Sequence, residues 1–295
     1  MILVTGATGS IGRQLVRCLR EQPVPFKALV RDEDKGRALG CDFSVADFDD
    51  PGSVVAAMTG VDRLFLNAGG AGPAAGEQPM VRQQKTVIDA ARDARVSQIV
   101  KVSVSGARQG GPLAQGAHWE IEQYLKQSGV GWSVLQPTGY MQNFLTGIGS
   151  LIRDGKLIDP YAGAAVSYID CYDIAACAAA LLTRDDRPGE TFVLTGPEAL
   201  THAVIAGQLS TTLGLPLQPA AVSPEHLAAT LKTQGLPAAF ADDIATLARE
   251  VAAGSMATTT SDVRNLTGRA PRTFGQFAAA SRDALRAAII SIEIR

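Results

Sequence analysis

The chain has 295 residues, of which 46% are hydrophobic and 19% charged, and its formal net charge is −2. A chain that stays disordered needs low hydrophobicity and high net charge, so this composition excludes one. With no basic surplus and only 5% aromatic residues for stacking, it also argues against a nucleic-acid partner.

The opening Met1-Ile2-Leu3-Val4-Thr5-Gly6 goes straight into strand and turn chemistry, so no leader is expected. No apolar run approaches the ~20 residues of a membrane span. Residues 2–5 predict a buried strand, and 11–19 a helix with Ile11, Leu15, Val16 and Leu19 on one face. Strands follow at 26–30 and, more weakly, 41–45. A helix at 53–58, a strand at 61–66 and a Gly/Pro-rich loop over 67–79 come next. Helix 80–95, strand 98–104, helix 119–127 and strand 132–136 complete this stretch. Strands alternating with helices call for a parallel sheet covered on both faces. Beyond 136 the rhythm loosens: 147–159 is loop-like and 167–169 strand-like, Asp173 is placed to cap a helix running to 182, and 191–194 is a last strand. From about 200 the pattern is helical, broken at Leu215-Pro216 and Ser223-Pro224.

Between the first strand and first helix stands Thr5-Gly6-Ala7-Thr8-Gly9-Ser10-Ile11-Gly12. Glycines there permit a tight turn, close approach of backbone to a pyrophosphate, and close helix–strand packing. The free N–H groups of the helix start then face the anion. The expected fold class is therefore α/β, a doubly wound parallel sheet of the Rossmann type with a smaller, mostly helical C-terminal cap. Residues 1–150 would bind the dinucleotide, with 165–195 contributing, and 196–295 would form the cap. Gly6, Thr8, Gly9, Ser10, Ile11 and Gly12 are the expected phosphate-binding residues.

The end of the second strand, Leu29-Val30-Arg31-Asp32, bears on the choice of coenzyme. A guanidinium at Arg31 suits the 2′-phosphate of NADP, whereas Asp32 keeps NAD in play through the ribose hydroxyl. Ligands of open parallel sheets sit beyond the strands' carboxyl ends. That rule adds Asp47 and Phe48, Asn67, Ala68 and Gly69, Ser103 and Val104, and Gln136, Pro137 and Thr138 to the cofactor residues.

Taken with Leu29-Val30-Arg31-Asp32, His118-Trp119-Glu120-Ile121-Glu122, Leu135-Gln136-Pro137-Thr138, Gln142-Asn143-Phe144, Leu266-Thr267-Gly268-Arg269 and Pro271-Arg272-Thr273-Phe274, the glycine turn resembles the NmrA-like branch of the atypical short-chain dehydrogenases/reductases. That branch includes NAD(P)H:quinone oxidoreductases and triphenylmethane reductases, and also regulators that bind the dinucleotide without turnover. The resemblance implies the fold and coenzyme more firmly than it implies catalysis.

The Tyr-x-x-x-Lys pair usual in short-chain dehydrogenases is missing: Ser128, Phe144, Ala165, Tyr172 and Ala176 stand four residues beyond the five tyrosines. His118, with Glu122 one helical turn later, is the candidate proton donor. The competing reading is a helix-start histidine beside a surface glutamate. His202 and His226 are expected to be surface or capping residues. Tyr140, Met141 and Phe144 are the candidate substrate wall, at least one of them expected in the core. Three scattered histidines support no metal site, no G-K-[ST] ending supports a P-loop, and no G-x-S-x-G supports a hydrolase. Cys18, Cys41, Cys171 and Cys177 lack C-x-x-C spacing, which points to a reducing cytoplasm without disulfides.

The reading is an NADPH-dependent reductase passing hydride to a quinone, dye or other conjugated aromatic small molecule. Such acceptors take protons from water and need positioning more than a strong acid. The alternatives are an NADP-sensing regulator without turnover, which would have a protein partner, or a natural-product tailoring reductase. Neither nucleic acid nor membrane is an expected partner, and a homodimer stays open.

Overall fold

Every residue of β1 (Ile2–Val4) is buried, the mark of a strand covered on both faces. A computed structural model describes residues 1–73, 78–145, 152–153, 156–184 and 188–290. In chain order it continues with α1 (Ser10–Arg20), β2 (Phe26–Val30), α2 (Glu33–Arg37), β3 (Phe43–Val45), α3 (Pro51–Ala57) and β4 (Arg63–Leu66). Then come α4 (Pro79–Asp93), β5 (Gln98–Val102), α5 (Ala114–Gln127) and β6 (Gly131–Pro137). After a short 3-10 turn at Met141–Phe144 follow β7 (Ile152–Arg153), β8 (Lys156–Asp159), α6 (Cys171–Thr183) and β9 (Glu190–Leu194). Part of the loop expected over 147–159 lies outside the described residues.

The seven-stranded sheet runs β3-β2-β1-β4-β5-β6-β9, and the registers from β3 through β6 are all parallel. This is the Rossmann-type α/β sheet expected from the sequence. Its order reverses between β1 and β4, and such a switch point opens a crevice beyond the strand ends. On one face, Leu3, Leu29, Leu64, Leu66 and Ile99 pack against Val87, Ile88 and Ala91 of α4 and Ile121 and Leu125 of α5. On α1 the buried stripe is Ile11, Gly12, Leu15, Val16 and Leu19, the face foreseen from its 3.6-residue period.

Three differences have local causes. Helix α2 is not evident from hydrophobic periodicity, because it is short and polar; the Asp32 carboxylate nucleates it by accepting from Lys35 N–H at 3.1 Å. Helix α5 begins at Ala114, five residues before the expected start at 119. Gly116, which reads as loop, sits where a Cβ would be 2.8 Å from the Gly111 carbonyl oxygen, so the helix start needs a glycine. Asp173 does not cap α6, which begins two residues earlier at Cys171.

By its contacts the chain divides into two compact units, the first made of Met1–Pro137, Cys171–Val193 and Asn265–Gly268. The second holds Thr138–Asp170, Leu194–Arg264 and Arg269–Arg295. It contains α7 (His202–Leu213), β10 (Gln218–Ala221), α8 (Pro224–Thr233), α9 (Ala238–Ala252), the first half of α10 (Asp262–Thr267), α11 (Phe274–Ala280) and α12 (Arg282–Ile290). Strand β8 lies between β10, parallel to it, and β7, antiparallel. Its core joins Phe144, Tyr168, Leu209, Phe274 and Phe277, with Phe144 edge-on to both Tyr168 and Phe274. Among the described residues no helix is long and apolar enough to cross a membrane.

Candidate active site

Beyond the carboxyl ends of β1 to β4 lies a cleft of about 540 Å³. Gly6, Thr8, Gly9, Arg31, Asp47, Phe48, Asn67, Ala68 and Gly69 line it, so the strand-end rule gathers nine of the expected cofactor residues in one place. Its construction starts with Thr5, whose buried hydroxyl donates to the carbonyls of Phe65 and Asn67 and accepts from Asn67 N–H. This ties the end of β1 to the end of β4. Gly6 then turns at φ +61°, and a Cβ there would lie 2.8 Å from the Asn67 carbonyl oxygen. Gly12 lies beneath the turn, where a Cβ would fall 2.2 Å from the Gly6 carbonyl oxygen. Both glycines are required by contact, and Gly6 by its left-handed conformation as well.

The N-terminus of α1 carries no side-chain cap and no acidic residue in its first turn. Its leading N–H groups and the positive end of its dipole are left for an anion. Ser10, exposed, opens the helix, while Ile11 is buried beneath it. Arg31 lies at the rim, exposed, where a guanidinium can meet a phosphate in bidentate fashion. Asp32 is engaged in capping α2. Asp47 accepts from Asp49 N–H at 3.0 Å. The residues present fit a pyridine dinucleotide: a glycine turn without Cβ atoms, an uncapped helix start, and one arginine beyond β2.

Ser103, Val104, Gln136, Pro137 and Thr138 do not line this cleft. The buried Ser103 hydroxyl donates to Glu122 Oε1, and Gln136 Nε2 donates to the same oxygen at 2.9 Å. Lys126 Nζ reaches Glu122 Oε2 at 3.3 Å. Pro137 accepts from Ser105 N–H, and Val104 is half-buried.

His118 does not pair with Glu122 as expected. Its Nδ1 lies 2.8 Å from Nζ of Lys101, and Glu122 is held by Ser103, Gln136 and Lys126 instead. The surroundings oppose a charged imidazole rather than favouring it. Burial, and then the neighbouring Lys101 charge, push His118 well below the usual histidine range. Lys101 is fully buried in the middle of β5, and burial brings its amine down to about 7 against an opposing pull from Glu122. The strand expected over 98–104 contains this lysine. Its position was the available signal, since a lysine mid-strand in a doubly covered sheet must find a buried partner.

In the second unit, Met141 is 1% and Phe144 0% exposed. Buried this far, they pack its core; of the expected substrate wall, Tyr140 is the one left half-open. Thr138 is also buried, donating to the Ser167 carbonyl at 2.5 Å. His202 is not a surface residue: it is fully buried, with Nε2 2.9 Å from the Tyr168 hydroxyl and Nδ1 3.5 Å from Asp159. His226 is exposed, and its N–H donates to the Ser223 cap. The described residues hold no cluster suited to a metal ion.

The geometry agrees with comparison to known proteins. Residues 6–185 match the NAD(P)H-binding family model. An NAD(P)H azoreductase of Xenophilus azovorans is 35% identical over 98% of this chain and 100% of its own length. Prestalk A differentiation protein A of Dictyostelium discoideum is 30% identical, over 94% of this chain and 91% of its own. Among solved structures, an NADPH-dependent quinone oxidoreductase of Escherichia coli complexed with NADPH superposes with a TM-score of 0.80 at 28% identity, covering 97% of this chain and 100% of that one. The chain belongs to the NAD(P)H-binding family, and within it to the NAD(P)H-dependent oxidoreductases.

Proposed function

We propose that this protein is an NADPH-dependent reductase of conjugated small molecules, quinones and azo or related dyes foremost. The observation that carries the reading is the uncapped start of α1 over the Gly6–Gly9–Gly12 turn, opening into a cleft with Arg31 at its rim. The relatives named for azo and quinone reduction support the acceptor class. When bound, the reduced nicotinamide supplies a hydride. With one proton from solvent or a side chain, that hydride converts a quinone to a hydroquinone, or an azo bond to a hydrazo group.

The chain's own contribution is to bind and orient. Backbone N–H groups of Thr8 to Ile11 hold the diphosphate, Arg31 takes the 2′-phosphate, and Asp47, Phe48 and Asn67 border the remaining cleft. His118 is the residue proposed to give a proton or hydrogen bond to the acceptor, as an imidazole kept neutral by its burial. A reducing cytoplasm suits Cys18, Cys41, Cys171 and Cys177, none of which is in a disulfide among the described residues.

The test mixes protein, NADPH and a panel of quinones and azo dyes and follows nicotinamide absorbance. The expected result is coenzyme oxidation matched to acceptor reduction, with His118→Ala lowering kcat at unchanged NADPH affinity. Tight coenzyme binding with no oxidation by any acceptor would replace this reading with the regulatory one.

A further inference from the structure

We infer that Lys101 is a positioning residue that fixes the tautomer of His118: its amine donates to Nδ1 and leaves the ring proton on Nε2. The inference deepens the proposed role of His118 and, as a statement about function, rests on it; the tautomer itself does not.

Three observations converge on it. The Lys101 amine is held at two points, donating to the Val102 carbonyl at 3.0 Å and lying 2.8 Å from His118 Nδ1. An ammonium has no lone pair, so a protonated Lys101 can only donate, and Nδ1 must accept. A neutral imidazole whose Nδ1 accepts carries its proton on Nε2. Both residues are buried, Lys101 fully and His118 to 7% exposure, and among the described residues no other hydrogen-bond partner competes for Nδ1.

The surrounding charges are few. On α5, one turn from His118, Glu122 provides the negative charge that favours the ammonium, and Lys126 lies beyond it. The strand neighbours of Lys101 in register, Leu66 of β4 and Val134 of β6, are apolar. Helix α6, which also packs on β5, brings Asp173. Lys101 titrates near 7, so the lock is closed below neutrality. Above it the free amine regains a lone pair, and the ring can adopt either tautomer.

The test is nitrogen-detected NMR of 15N-histidine-labelled protein at pH 6, with His118 assigned by its loss in His118→Gln. Wild type should show a protonated Nε2 and a bare Nδ1, moving toward mixed tautomers as pH rises past 7. Lys101→Met should give mixed tautomers already at pH 6, and Lys101→Gln, whose amide can donate, should restore the Nε2–H form. Turnover should fall about tenfold or more in Lys101→Met through kcat, with KM for NADPH unchanged and partial recovery in Lys101→Gln. A proton on Nδ1 in wild type, or an unaltered ring in folded Lys101→Met, overturns the inference even if quinone turnover is intact. Absence of turnover in wild type sinks the catalytic reading instead and leaves the NMR result to decide the tautomer.

Discussion

Single atoms decide the coenzyme turn. The Gly12 Cα faces the Gly6 carbonyl oxygen so closely that an added methyl would stand 2.2 Å from it, against backbone that has no flexible end to move. Gly12→Ala should therefore cost about 2 kcal/mol or more in unfolding free energy and weaken NADPH binding by displacing the N–H groups above it. Denaturant melts and coenzyme titration check both. Gly6 and Gly12 were legible because local geometry at the end of β1 requires them, and Arg31 because it directly follows β2 and so falls at the cleft. Lys101 and His202 were not. A lone lysine inside an apolar run and a histidine at a helix start look alike whether solvated or buried, and only the tertiary partners, His118 for one and Tyr168 and Asp159 for the other, separate the cases.

Elements show where local chemistry overrides periodicity. Asp32 could have been a ribose ligand, yet its carboxylate caps α2. Asp32→Ala should cost about 1 kcal/mol of stability, the usual loss on removing a cap, and leave NADH affinity unchanged. A large drop in NADH binding on calorimetry would contradict the capping role. Strand β5 carries a second prediction, about pH. The unfolded Lys101 amine titrates at 10.5 and the folded one at about 7, so between these values the unfolded state binds more protons. Stability contributed by this site thus rises with pH across that window and is lowest below 7, a swing on the order of 5 kcal/mol. Chemical melts at pH 7 and pH 9 should show the gain in wild type and a much smaller one in Lys101→Met; equal gains in both would contradict it. The α5 start was hidden by Gly110, Gly111 and Gly116, which read as loop although Gly116 is needed where the helix meets the Gly111 carbonyl.

At the scale of the whole molecule, alternation of strand and helix was enough to give the parallel sheet, because a doubly covered sheet demands strongly apolar strands such as β1. The second unit was harder to read. It draws on three separate stretches of chain, and its small sheet includes a two-residue strand and the proline-containing Gln218–Ala221, which lack any run long enough to show a period. The proposed activity depends on the first unit gripping the diphosphate of a pyridine dinucleotide. Isothermal calorimetry of wild type and Arg31→Ala with NADPH, NADP⁺ and NADH tests that most directly. One site per chain is expected, tighter for NADPH than for NADH, with Arg31→Ala losing about tenfold or more for NADPH and little for NADH. Well-folded protein that takes up none of the three would contradict it.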